Sequence, residues 1–491
     1  MGAGFTRQRF LKALGVGTVY LALAGAGGCA PRVWSLPRVS PNIRKGVWAF
    51  RSRPDLDPAA AEVTTRARGI APGYVFLALK EGAGENGTMI LDEDGQVVWF
   101  GKHPRARDFK MQYYRGRAVL TWWEGAVVEG HGEGEYVIFD DSYREVRRVR
   151  AGNGFRGDLH EFLITPENTA LLTAYTPQTA DLSSIGGPED GPVWGGMVQE
   201  VDIETGEVLF EWHSLDHVGI EESYARFPPA HPGFRYDYFH INSIDVDHDD
   251  NLLISARNTW AAYKIERKTG DVLWRLDGKK SDFEMGQRTR SAFQHDARRQ
   301  KDGTITIFDN GAHPKVHDQS RAIDIGLDEG EMKATLLREY ASPEKILATS
   351  QGNAQFLPDG NVFVGWGSAP FVSEFSGDGE MLFDLRFPPE CESYRAFRFP
   401  WSGYPTGAPA VAVEHKTEGK VAIYASWNGA TEVASWEIVS GPAPGQMAPL
   451  GSVPREGFET AMVAQTHGPY VAVRAKDPSG EILGTSAPVE I

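Results

Sequence analysis

The sequence predicts an all-β chain, a six-bladed β-propeller followed by a C-terminal β-sandwich. Three observations lead there. One hairpin pattern recurs six times within residues 71–400, a second, polar-tipped hairpin precedes most of its copies, and the patterning changes after about residue 400. The 491 residues include 55 Gly, 30 Pro, 13 Trp and 16 Tyr, a mix that suits many short strands and tight turns.

The recurring hairpin is TMILDEDGQVVWF (88–100), EYVIFDDSYREVRRV (135–149), MVQEVDIETGEVLFEW (197–212), AAYKIERKTGDVLWRL (261–276), AIDIGLDEGEMKATLL (322–337) and FVSEFSGDGEMLFDLRF (371–387). Each copy alternates apolar residues on both sides of a DG, TG, EG or DS turn, the mark of paired antiparallel strands. Its turn glycines Gly206, Gly270, Gly330 and Gly379 recur at a period that belongs to propellers or solenoids, and strand pairs select the propeller. The second hairpin is DFKMQYYRGRAVLTWW (108–123), DLHEFLITPENTALLTAY (158–175), YFHINSIDVDHDDNLLISAR (238–257), FQHDARRQKDGTITIFDN (293–310) and SQGNAQFLPDGNVFVGWG (350–367). These are the expected inner strands of five blades.

Residues 405–491 alternate like sandwich strands. Residues 30–70, with several Pro and Arg, read as a mostly irregular lead-in. Residues 1–29 read as an export signal, basic in TRQRFLK (6–12) and apolar from 13 to 28. TRQRFLK resembles a twin-arginine signal with Gln8 in place of one Arg. AGGC (26–29) resembles a lipoprotein cleavage box, which makes Cys29 a site for a lipid anchor; an ordinary secretory signal or an uncleaved anchor fits the same residues. The expected location is periplasmic, membrane-anchored or extracellular.

The formal net charge of −16 sets nucleic acid aside as a partner, because phosphate binding needs a basic surface. Cys29 and Cys391 are the only cysteines, too few for a disulfide framework or a multi-Cys metal site, and Cys391 reads as a small buried hydrophobe. No cofactor is expected, and no GxxxxGK[ST] phosphate loop occurs.

In the second hairpin a polar residue recurs near the start of the first strand: Lys110, His160, His240, His295, and Gln351 or Asn353. Equivalent positions on successive blades converge on the axis of a ring. Asn242 shares a strand face with His240, the return strand brings Arg257 back to the same end, and Arg298 follows His295 closely. The expected site is a locally basic pocket inside an acidic protein. The same residues also fit a set of polar groups plugging the channel, or a three-histidine zinc site, which the nearby Arg257 disfavours. DVDHDDN (245–251) fits a hairpin turn better than a calcium loop. Asp296 either orients an imidazole or pairs with Arg298. Glu161 falls on the strand face opposite His160, and His213 and His217 read as loop residues at the channel mouth. Trp122, Trp123, Trp260 and Trp366 serve either to hold phenyl rings or to pack blades.

On FRSRPDL, APGYVFLA, GTMILDEDGQVVW, DLHEF, DYFHINSI, ISARNTWAAYKIERKTGDVLWRL, FQHDAR and SQGNAQFLPDGNVFVGWG, the chain resembles the propeller-type arylsulfotransferases from about residue 45 to 400. That resemblance implies transfer of a sulfuryl group from an aryl sulfate donor to a phenolic acceptor, without a nucleotide sulfate, through a transiently sulfated histidine. It implies His295 as nucleophile, with His240, Asn242, Arg257 and His160 in support. Rival readings are a non-catalytic binding or scaffold lipoprotein, a quinoprotein-like enzyme, and a hydrolase using the same channel.

Overall fold

Alternating apolar residues and turn glycines produce strands almost throughout. The computed structural model describes residues 33–35, 43–227, 235–416 and 420–491. The export signal and the lipid-anchor reading of Cys29 lie outside the described residues. Among those described, the only helices are three single 3-10 turns, and no helix is long and apolar enough to cross a membrane.

Six antiparallel runs of four strands follow one another, the second and third joined into one eight-stranded sheet where Gly134 pairs with Gly157. The second unit runs Ala106–Tyr114, Arg117–Val128, His131–Phe139 and Glu145–Val149; the third runs Gly157–Ile164, Thr169–Ala180, Gly191–Asp202 and Val208–His213. The fourth is Ile241–Val246, Leu252–Ala256, Ala261–Ile265 and Val272–Asp277. The fifth is His295–Arg299, Ile305–Asp309, Arg321–Asp328 and Lys333–Tyr340, and the sixth is Asn353–Phe356, Val362–Gly365, Phe371–Phe375 and Met381–Arg386. The first is built from both sides of these. Glu392–Phe399 pairs antiparallel with Tyr74–Lys80, which leads to Gly87–Leu91 and Val97–Gly101. The first strands of units two to six touch in succession, and those of the second and sixth both touch Glu392–Phe399.

Apolar faces of neighbouring units pack against each other, as sheets with buried alternate residues must. Phe76, Trp99, Phe109 and Trp122 fill one such seam, and Val198, Phe239, Ile254 and Tyr263 another. Trp122, Trp123 and Trp366 are fully buried in this packing. The turn glycines Gly206 and Gly270 take φ of 74° and 83°, where a side chain would be strained.

The lead-in is more ordered than its Pro and Arg content suggests. Glu62–Arg66 adds a strand to the outer edge of the sixth unit, Ile43–Arg44 pairs with Val47–Trp48, and Val33–Ser35 pairs with Glu459–Gln465. After residue 405 two further sheets, one centred on Lys420–Ser426 and one on Ser435–Gly441, enclose Ile423, Trp436, Ile438, Met462 and Val473.

Candidate active site

The first strands of units two to five carry the histidines and Lys110, and each is bulged. Register slips occur between Arg107 and Lys110, Gly157 and Phe162, Ile241 and Ser243, and His295 and Arg298. A bulge re-aims the side chains beside it. His160, His240 and His295 are brought together as their shared repeat position predicts. The rings of His160 and His240 lie 4.9 Å apart, and Tyr394 sits 5.5 Å from His160 and 6.4 Å from His295.

His295 is 2% exposed. Its Nδ1 faces Asn310 Oδ1 at 2.7 Å and the Phe293 carbonyl at 3.2 Å. The Asn310 amide nitrogen donates to the carbonyls of Ala348 and Gln351, so its oxygen is the atom turned to the ring. Two acceptors put the imidazole proton on Nδ1 and leave the lone pair on Nε2, where the Gln351 backbone N–H approaches at 3.3 Å. Burial, followed by the positive charge of Arg257, pushes the His295 pKa well below its ordinary value. The ring is therefore neutral at physiological pH.

Arg257 donates from Nη1 to Asn258 Oδ1 at 2.9 Å and lies 5.0 Å over the Phe293 ring. Among the described residues no carboxylate pairs with it, and burial lowers its pKa against the pull of Asp237. Trp260 stacks on Tyr224 at 3.8 Å and meets Phe293 edge-on, an aromatic wall beside the guanidinium.

The other imidazoles of the cluster lie against two carboxylates, Asp158 and Asp237. His160 Nδ1 bonds Asp158 Oδ2 at 2.6 Å. Burial pushes the Asp158 carboxyl up, but His160 and the Gly132 N–H, at 2.5 Å, hold it at about 2. His240, in a left-handed conformation (φ 58°), bonds Asp237 Oδ2 through Nδ1. Burial dominates there and pushes His240 down to about 4. Nε2 of His131 lies 3.4 Å from the same Asp237 oxygen. The ligand atoms of His131, Asp237 and His240 fall within 4.8 Å of one another, compact enough for a metal ion. A divalent cation would meet the unpaired Arg257 charge, which already acts on His240.

A layer of paired charge lies beside this cluster. Lys110 Nζ bonds Asp108 at 2.7 Å and Glu161 at 2.8 Å. Arg298 pairs with Glu161 and, at 2.7 Å, with Asp296. Arg395 reaches Asp108, Glu161 and Asp296 at 3.1–3.2 Å. Three cations thus neutralise three carboxylates.

Several expected site residues are occupied elsewhere. Lys110 and Arg298 belong to the charge layer, not to a substrate pocket, because buried carboxylates hold them. Asp296 pairs with Arg298 rather than orienting an imidazole, and Glu161 faces away from His160 into that layer. Asn353 uses both ends of its amide on the Ala396 backbone, at 2.8 and 2.9 Å. Asn242 donates to the Gln294 carbonyl at 2.7 Å, so it fixes the strand of His295. Gln351 contributes its backbone N–H while its side chain bonds Glu392. His213 ends an outermost strand and bonds Glu211, and His217 stacks on Trp212. DVDHDDN is a hairpin turn, closed from the Asp247 N–H to the Asn251 carbonyl, and Asp247 pairs with Lys264 and Arg299.

Sequence reasoning missed His131, Asp158, Asp237, Asn310, Tyr394 and Arg395. Asp158 and Asp237 stand two and three residues before their histidines, a signal visible in DLH and DYFH. His131 sits between glycines at the start of an outer-hairpin strand, and Arg395 in a strand with no hairpin partner, so neither falls at the repeat position.

An all-β, propeller-like scaffold that gathers buried imidazoles around an unpaired guanidinium defines a protein equipped to handle an anion. The chain belongs to the arylsulfotransferase (ASST) family, whose model matches residues 110–388. No curated protein matches it. Among solved structures, a protein of unknown function from Bacteroides caccae is 13% identical, with a TM-score of 0.41 over 67% of this chain and 100% of that one. A catalytically inactive virginiamycin B lyase from Staphylococcus aureus, solved with quinupristin, is 7% identical, with a TM-score of 0.36 over 82% of this chain and 99% of that one.

Proposed function

We propose that the protein is an aryl sulfate sulfotransferase that works by a ping-pong mechanism through a sulfated His295, with no nucleotide donor. The six four-stranded units are read as the blades of one propeller, with the histidine cluster at its centre and the C-terminal sheets as a β-sandwich. The observation that carries the reading is the neutral His295, its lone pair on Nε2, beside the desolvated and unpaired Arg257.

In the first half-reaction Nε2 attacks the sulfur of an aryl sulfate. The N–S bond forms as the S–O bond to the phenol breaks. The transition state is expected to be loose, with charge spread over the equatorial oxygens, as in phosphoryl transfer. Arg257 opposes that charge, and the Gln351 N–H beside Nε2 supplies a second donor. His240, whose Nδ1–H donates to Asp237, protonates the departing phenolate from Nε2 when its ring is doubly protonated, and is left neutral. In the second half-reaction an acceptor phenol returns a proton to His240, its oxygen attacks sulfur, and the N–S bond breaks. His160, fixed by Asp158, is the second imidazole within reach of the same charge. The leader at 1–29 adds export, with Cys29 as a site of lipidation, to this reading.

The test is release of chromophore from 4-nitrophenyl sulfate with and without added phenol, for the parent protein and His295→Ala. Phenol-dependent release that vanishes in the variant supports the reading. Release indifferent to phenol points to hydrolysis at the same site. No release removes aryl sulfates as the donor class.

A further inference from the structure

A cavity of about 990 Å³ opens where the second unit meets the segment leading into the C-terminal sheets, and no residue of the histidine cluster lines it. Its volume stands at the upper end of the roughly 300–1,000 Å³ that small-molecule sites occupy. The walls come from the hairpin tip around Arg115, the turn at Asp140 and Asp141, Val146 on the outer strand, and residues 400–404. We infer that this cavity binds a neutral oligosaccharide, independently of the function proposed above.

Three large side chains of the cavity stand open to solvent: Tyr113 at 62%, Tyr404 at 52% and Val146 at 47%. Single exposed apolar residues are ordinary, but three gathered in one cavity mark a contact surface. The walls are braced before any ligand arrives. The Tyr404 N–H donates to the Asp141 carbonyl at 2.7 Å, and Nε1 of the buried Trp401 donates to the Tyr143 hydroxyl at 3.0 Å. That hydroxyl donates in turn to the Gly429 carbonyl at 2.7 Å, which ties the turn to the C-terminal sheets.

The polar groups of the cavity divide into engaged and free. Arg115 pairs with Glu204 at 2.9 Å, and Asp140 accepts from the Ser142 N–H and hydroxyl and from the Arg144 N–H. The side chains of Arg117 and Asp141 have no hydrogen-bond or ion-pair partner among the described residues, nor do the hydroxyls of Ser402, Tyr113 and Tyr404. A guanidinium and a carboxylate left free in one cavity cancel in charge, so neither an anion nor a cation is favoured there. They complement a neutral molecule rich in hydroxyls, which donate to Asp141 and accept from Arg117. A sugar ring carries those hydroxyls on its edge and presents C–H faces that cover exposed aromatic side chains. The volume takes more than one such ring.

The test is calorimetric titration of the full chain with maltotriose, cellotriose, xylotriose and chitotriose, and with trigalacturonate as the charged control. The parent protein is compared with Arg117→Gln, Asp141→Asn and Tyr404→Ala, three substitutions at side chains that hold no other part of the fold. At least one neutral trisaccharide is expected to bind, and each variant should weaken it by roughly tenfold or more. Arg117→Lys should recover part of the loss in Arg117→Gln. Binding of none of the four neutral sugars overturns the proposal. Binding that all three variants leave unchanged overturns it too, since the sugar then sits elsewhere. Binding of trigalacturonate alone, lost in Arg117→Gln and kept in Asp141→Asn, overturns the neutral class in favour of an acidic one.

Discussion

At the scale of single residues, the tautomer of His295 decides which atom can react. Asn310 Oδ1 fixes the proton on Nδ1, and that one bond makes Nε2 the nucleophile. Asn310→Leu removes the acceptor while keeping the volume. Its expected effect is a fall in kcat of about 10²-fold with donor KM little altered, read from steady-state kinetics. Arg257→Ala deletes the cation facing developing charge and should lower kcat/KM by about 10²–10³, with Arg257→Lys recovering part of the loss because the forked geometry is missing. The three histidines and Arg257 were legible in the sequence because a repeat places equivalent residues alike. Of their carboxylate partners alternation could reach only Asp158, since it assigns faces only to regular strands. Asp158 and His160 share a face by parity and do meet, but Asp237 and His240 meet only through a left-handed turn at His240. Lys110 and Arg298 changed role, because strand parity gives the face of a side chain and does not show which buried carboxylates meet it there.

At the scale of elements, the seams between units set stability. Asn353 bonds both backbone groups of Ala396, tying the sixth unit to the strand Glu392–Phe399. Asn353→Leu would leave a buried N–H and C=O unpaired, at about 1–3 kcal/mol each, and chemical denaturation should show a loss of at least about 2 kcal/mol. Asp277 ends the outer strand of the fourth unit, accepting from the Ser291 N–H and pairing with Arg290 at 2.9 Å on the way into the fifth. Burial raises its carboxyl to about 6. An unfolded Asp titrates near 3.9, so the stability linked to this proton is present below about pH 4 and lost as pH rises through about 6. The full loss is about 3 kcal/mol. Asp277→Asn should flatten that slope in a plot of unfolding free energy against pH, and it keeps the left-handed φ of 66° that Asn tolerates.

At the scale of the whole molecule, six units could be counted from hairpin turns and alternation because both signals are local. The strand Glu392–Phe399 escaped because its pairing is with Tyr74–Lys80, more than three hundred residues earlier, and no turn announces it. That strand brings Arg395, completely buried among Asp108, Glu161 and Asp296. Arg395→Met would leave three carboxylates facing two cations, an imbalance expected to cost about 3–5 kcal/mol and measurable as a lowered Tm that recovers in part at acid pH.

The strand holding Arg395 is also the last strand of the six units to leave the ribosome. Without it, Asp108, Glu161 and Asp296 face only Lys110 and Arg298, one positive charge too few. A nascent chain halted before residue 395 should remain expanded and sensitive to protease, whereas one extended past residue 399 should snap shut. If so, charge would time the closing of this layer to synthesis, and the histidine cluster beside it would form only after the strand Glu392–Phe399 is made.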